Sequence, residues 1–212
     1  MSDQPVQFTS RIYLTLMVEI KVRLNEIDRI IQSIGDDESR DPRTVIDLET
    51  CYLQIRLICE SIALASLAAN HSELINADLQ KQYNAERIFT DLAKINPDCF
   101  PRAMLGERTG EKDLHFSDVD PAPLTYKDLK AIYIECSRVL HRGALKVLVS
   151  DTRKFYKIDD IKQWLESFVN LLACHVIIVP HLQKALVIHL WGNESGDVTL
   201  SEAYSKGEFV IQ

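Results

Sequence analysis

The chain has 212 residues, 46% hydrophobic and 26% charged, with a formal net charge of −7. That length buries a sizeable core in one large domain or two small ones, and that composition excludes a disordered chain. The acidic balance argues against a general nucleic-acid coat protein. It is unevenly spread, however: from Arg138 to Lys157 there are six Lys or Arg and one Asp, a local +5 against −12 elsewhere.

The first predicted helix runs from about Thr9 to Ser33, with Ile12, Leu16, Ile20, Leu24, Ile27 and Ile31 on one stripe and Gly35 as its stop. A polar turn ending at Pro42 leads into a second helix, about Arg43 to Asn70, for which Asp41 is the expected cap. Its part from Ile55 to Ala69 is apolar nearly all round, the pattern of a central buried helix. Arg56 and Glu60 interrupt that run at four-residue spacing, so each needs a partner, either one another or a polar group on a neighbouring helix. A third helix is expected over Ala77 to Lys94, and the polar stretch from Pro101 to Pro123 reads as a long loop.

The fourth predicted helix, residues 125 to 148, opens at Thr125 with Asp128 completing a capping box. Leu129, Tyr133, Cys136, Leu140 and Val147 make its apolar stripe, and Arg138, Arg142 and Lys146 make a basic one. Ser137 and His141 lie between the two. A fifth helix is expected over Ile158 to Val179, with Asp159 and Asp160 suiting its positive end. After Pro180, Lys184 to Trp191 and Asp197 to Tyr204 read as the two strands of a hairpin. The expected fold is therefore mainly α: a single domain over 1–212, with a bundle of about five long helices at 8–178 and a small C-terminal β-hairpin at 184–211.

The five cysteines are scattered and form no CxxC pair, which points to reduced core thiols rather than a metal site or disulfides. His175, His181 and His189 are too unevenly spaced to suggest a metal site, and His175 reads as a hydrogen-bonded core histidine. No metal or cofactor is expected. The N-terminus carries no secretory pattern, and the most apolar segment, Leu171 to Val179, is interrupted by His175 and too short to span a bilayer, so a cytoplasmic protein without membrane attachment is expected.

No phosphate-binding glycine loop, GxSxG or HExxH occurs. Ser137 with His141 lacks a legible oxyanion hole and orienting acid, which removes serine hydrolysis. His141 with Arg138 suits phosphodiester chemistry better. The imidazole moves protons near neutral pH while the guanidinium neutralises charge on phosphate, and no metal is required. The competing reading is an ordinary solvated helix face.

The segment Tyr133-Ile-Glu-Cys-Ser137-Arg138-Val-Leu-His141-Arg142-Gly143, preceded by a long helical hairpin, resembles the HEPN-type helical domains of prokaryotic defence and toxin systems. That resemblance implies a helical, often homodimeric protein of bacterial or phage origin that binds RNA, a nucleotide or a protein partner. Many of its members are metal-independent ribonucleases. Catalytic members carry the arginine further ahead of the histidine than Arg138 is from His141. Ser137 and His141 match instead the S-xxx-H form of related non-catalytic branches. The candidate catalytic residues are thus His141 and Arg138, and the candidate binding residues are Arg142, Lys146, Ser137, Arg56 and Glu60. The alternative is a structural or interaction protein in which this polar cluster only sets helix packing.

Overall fold

A computed structural model describes residues 4–34, 41–70, 77–108, 114–141, 156–192 and 195–204. The helices are α1 (Gln4–Ile34), α2 (Pro42–Ala69), α3 (Ala77–Gln80), α4 (Ala85–Ile95), α5 (Tyr126–Leu140) and α6 (Ile158–Leu172). The strands are β1 (Arg102–Arg108), β2 (Leu114–Asp118), β3 (Cys174–Val179), β4 (Lys184–His189) and β5 (Thr199–Tyr204), in one antiparallel sheet ordered β2-β1-β3-β4-β5. The expected bundle with a small hairpin is therefore corrected to a mixed α/β fold, in which helices pack on a five-stranded sheet.

The difference has three local causes. Within the stretch expected as a loop, residues 102–108 and 114–118 form β1 and β2. Their alternation is diluted by charged residues and by Gly106, which stands opposite Phe116. A Cβ on Gly106 would come within 3.1 Å of the Phe116 ring, so glycine lets the ring close over the strand. The run from Leu171 to Val179 fits the expected helix as well as a strand, because a short apolar run has no decisive period. The chain leaves the helix at Ala173, and the β-branched Val176-Ile177-Ile178-Val179 extends as β3. The third helix is broken at residues 81–84, where the Asn84 side chain accepts from the Arg87 N–H at 3.1 Å and starts α4 afresh.

Other local signals operate as the residues dictate. The Asp41 carboxylate caps α2, with Pro42 in its first turn. Thr125 and Asp128 exchange both bonds of the capping box at the start of α5. On α1 the expected stripe holds from Ile20 through Leu24 and Ile27 to Ile31, all buried, but at the start of the helix Tyr13 and Met17 are buried in the places expected of Ile12 and Leu16, which are half-buried. By length and composition α2 is apolar enough to cross a membrane, but here it packs against α1 and α5 in the centre of the core.

The sheet turns Ile177, Val179, Leu186 and Ile188 toward the helices, while Met104, Val176 and Ala185 form a smaller cluster on its other face. Several buried polar contacts tie helices to strands. Asn96 at the end of α4 donates through Nδ2 to Asn70 Oδ1 at 2.7 Å and to the Ile178 carbonyl at 2.8 Å. Tyr13 on α1 meets His175 on β3, with its hydroxyl 2.8 Å from Nε2. Lys184 on β4, only 3% exposed, donates to Glu202 at 2.6 Å and to Ser10 at 2.9 Å.

The β4–β5 turn offers a direct test of packing. Gly192 donates its N–H to the Asp197 carbonyl at 2.7 Å, and a Cβ at this position would lie 2.8 Å from that oxygen. Because the obstacle is backbone, Gly192→Ala is expected to cost about 1–3 kcal/mol, read as a lower midpoint of urea unfolding. Gly106→Ala, which meets only the edge of a side chain, should cost less.

Candidate functional site

The sequence places its candidate residues on α2 and on the last turns of α5, and these two helices pack together. Arg56 and Glu60 lie one turn apart on the side of α2 that faces α5. Their side chains are 32% and 20% exposed, with Nε 3.2 Å from Oε1. Tyr133 of α5 completes the group. Its hydroxyl donates to the same Glu60 oxygen at 3.3 Å, and the Arg56 guanidinium stands over its ring at 5.5 Å. Burial opposes the charge on Arg56, yet Tyr133 and Glu60 outweigh it and hold the guanidinium pKa above its ordinary value. Burial, and then the Glu60 charge, raise the Tyr133 phenol, which keeps it a neutral donor. The trio therefore satisfies its own buried polar groups.

One turn further along α5 the arrangement differs from the one expected. The Ser137 hydroxyl donates to the Tyr133 carbonyl at 2.8 Å, a back-bond within the helix. His141 is the C-cap, and its contact with Ser137 is through the main chain, His141 N–H to Ser137 carbonyl at 3.3 Å. The hydroxyl and the imidazole are thus not a hydrogen-bonded pair. The His141 residue is exposed, and its ring makes no hydrogen bond among the described residues. Arg138 is also exposed, at 69%, but its guanidinium is gripped by Glu135 at both Nε, 2.9 Å, and Nη2, 2.5 Å. That fork pulls the Glu135 carboxyl below its usual range. Helix α5 is described to Leu140, and the remainder of the helix expected to 148, with Arg142 and Lys146, lies outside the described residues.

The candidate residues therefore fall into two groups: a half-buried trio of Arg56, Glu60 and Tyr133, and a surface pair of Arg138 and His141 at the end of α5. Glu135 was missed as the partner of Arg138, although its three-residue spacing was readable. The Tyr133 hydroxyl was missed too, because Tyr133 was counted only as an apolar stripe residue. Tyr52 shares the outlook of Arg56 in sequence but packs instead against Tyr156 and Trp164, with ring centroids at 6.0 and 5.7 Å.

The thiols are not nucleophiles in this setting. Cys51, Cys59, Cys99 and Cys136 are buried and free, and burial pushes Cys136 and Cys51 up to about 12 and Cys99 to about 11. Among the described residues no group of three His, Cys, Asp or Glu side chains gathers to hold a metal. His175 is fully buried on β3. Burial lowers its pKa to about 4 against the raising effect of the Leu172 carbonyl, and Nδ1 lies 3.1 Å from that oxygen. The His181 side chain lies outside the described residues.

Compared with protein-family models, curated proteins and solved structures, the chain matches none.

Proposed function

We propose that this chain is a HEPN-like, cytoplasmic protein of bacterial or phage origin that binds RNA or a nucleotide at the C-terminal end of α5. The observation that carries the reading is the exposure of His141 beside Arg138, where the basic segment from Arg138 to Lys157 begins. An exposed imidazole without a hydrogen bond among the described residues, three positions after a surface guanidinium, suits a phosphate. The helical hairpin of α1 and α2 and the packing of α5 on α2 support the family resemblance in the helical part, while the sheet lies outside it. In the enzyme version, a metal-independent endoribonuclease, His141 carries the proton and Arg138 must exchange Glu135 for the phosphate before it can clamp.

Binding is expected to weaken steeply as salt rises, because Lys and Arg contacts release condensed counterions. Arg138→Ala and Arg142→Ala should each reduce RNA affinity by about 3–10-fold at low salt and flatten its salt dependence. Arg29→Ala on α1 serves as the control, since Arg29 is paired with Glu26 on its own helix and belongs to none of the candidate residues. Lys21, the other simple choice, donates to the Gly196 carbonyl and covers Trp191, so its removal disturbs the β4–β5 turn. His141→Ala should abolish any cleavage while sparing the fold. A parent protein that neither binds nor cuts RNA at low salt overturns the reading.

A second reading, a protein-binding or structural role, is favoured by one observation. Both arginines of the described cluster already have carboxylate partners, Glu135 for Arg138 and Glu60 for Arg56.

A further inference from the structure

Along α2, Ile46, Thr50, Leu53, Leu57, Glu60 and Leu64 succeed one another at alternating four- and three-residue steps. That is the spacing of a coiled-coil seam, in which each residue inserts between residues of a facing helix. Its Ile46, Thr50, Leu53 and Leu57 turn away from the core, while Glu60 meets Tyr133 and Leu64 reaches the margin of the core. The α1 side of α2 is marked by Gln54, which accepts from Arg23, and the α5 side by Arg56 and Glu60 against Tyr133. Between them Ile46 is 57% and Leu53 42% exposed, with Leu57 and Leu64 half-buried. Four aliphatic residues in this register, on a helix whose other sides are already packed, call for a facing helix.

We propose that the seam packs antiparallel against the same seam of a second copy of the chain, across a two-fold axis between Thr50 and Leu53. The charges choose this occupant and this direction. Setting Thr50 opposite the partner's Leu53 brings Ile46 opposite the partner's Leu57 and Arg43 opposite the partner's Glu60. By symmetry each contact occurs twice. On the flank, Glu49 comes level with the partner's Arg56. A parallel pairing would instead set Arg43 against Arg43 and Glu60 against Glu60. The end groups can make the exchange: Arg43, 80% exposed, holds Asp47 on its own helix through Nε at 3.2 Å and can turn its other nitrogens outward, and both Arg56 and Tyr133 bond Oε1 of Glu60, leaving Oε2 for the incoming guanidinium. The second copy thereby adds a cation to the edge of the Arg56–Glu60–Tyr133 trio. This goes beyond the anion-binding reading and does not depend on it.

Light scattering of the full chain at high micromolar concentration should give a dimer. Leu53→Glu, at an exposed position, should raise the dimer dissociation constant by more than about tenfold with unchanged circular dichroism. Arg43→Glu should weaken the dimer in the same direction. The register is tested by the double variant Thr50→Cys, Leu53→Cys, which should form a covalent dimer on mild oxidation, whereas Thr50→Cys alone should not. A parent that stays monomeric, or a dimer insensitive to both Leu53→Glu and Arg43→Glu, overturns the proposal.

Discussion

Glu202→Gln is expected to destabilise the protein by about 3 kcal/mol, measured as a fall in the urea midpoint at neutral pH. Lys184 is 3% exposed on β4, and its ammonium depends on Glu202 for the compensating charge. Glu202 itself is about a quarter exposed, which keeps the loss at the low end of what breaking a buried pair costs. The carboxyl feels burial as a raising influence, yet the bonds from Lys184, Ser10 and Tyr204 prevail and lower its pKa. Neutralising the acceptor leaves Lys184 charged between α1 and the sheet, bonded to neutral groups such as the Ser10 hydroxyl and the amide oxygen that replaces the carboxylate. Lys184→Met should cost less, because it removes the buried charge and leaves Glu202 access to water. The double variant should recover part of the Glu202→Gln loss. An equal or larger cost for Lys184→Met would show that the pair is not the source of the effect.

Stability is also expected to fall by about 3 kcal/mol as pH drops from 6.5 to 4, through His175. The folded protein holds this imidazole neutral, with Nδ1–H donating to Leu172 and Nε2 accepting from Tyr13. Its pKa is about 4 in the fold and 6.5 when unfolded, so between those values the unfolded chain binds the extra proton. Stability is therefore fully present above 6.5 and is lost as pH falls toward 4. His175→Gln, which retains a donor and an acceptor, should flatten this slope while costing some stability at pH 7. Unfolding midpoints of both proteins across that window decide the matter. A parallel pair of pH profiles would remove His175 as the cause.

The long amphipathic helices were legible because a stripe such as Ile20, Leu24, Ile27 and Ile31 repeats over many turns and has no alternative period. The caps at Asp41 and Thr125 were legible for the same local reason. The β4–β5 hairpin was legible too, but β1, β2 and β3 were not, since β1 carries no clear alternation and is held extended by its pairing with β2 and β3 rather than by a pattern of its own. At the candidate site, spacing put Arg56 beside Glu60 correctly, but it could not reveal which atoms meet. Ser137 and His141 share a helix edge, yet the hydroxyl prefers the nearer Tyr133 carbonyl, and the imidazole lies beyond the last helical residue. Helical spacing constrains Cβ positions; side-chain bonding is then decided by competition with the backbone.

The strand order has a kinetic consequence. The pairs β1–β2 and β3–β4–β5 are each local, but β1 joins β3 only through Arg102↔Val176 and Ala103↔His175, across a separation that includes α5 and α6. Contacts that close so large a loop give back their entropy cost late in folding. During synthesis the β1–β2 hairpin leaves the ribosome with one side of β1 unsatisfied, and it waits for the whole of α5 and α6 before β3 arrives. Joining the two halves of the sheet is thus expected to be the slow step. Until it occurs, the open edge of β1 is the place where the nascent chain is most exposed to pairing with a neighbour.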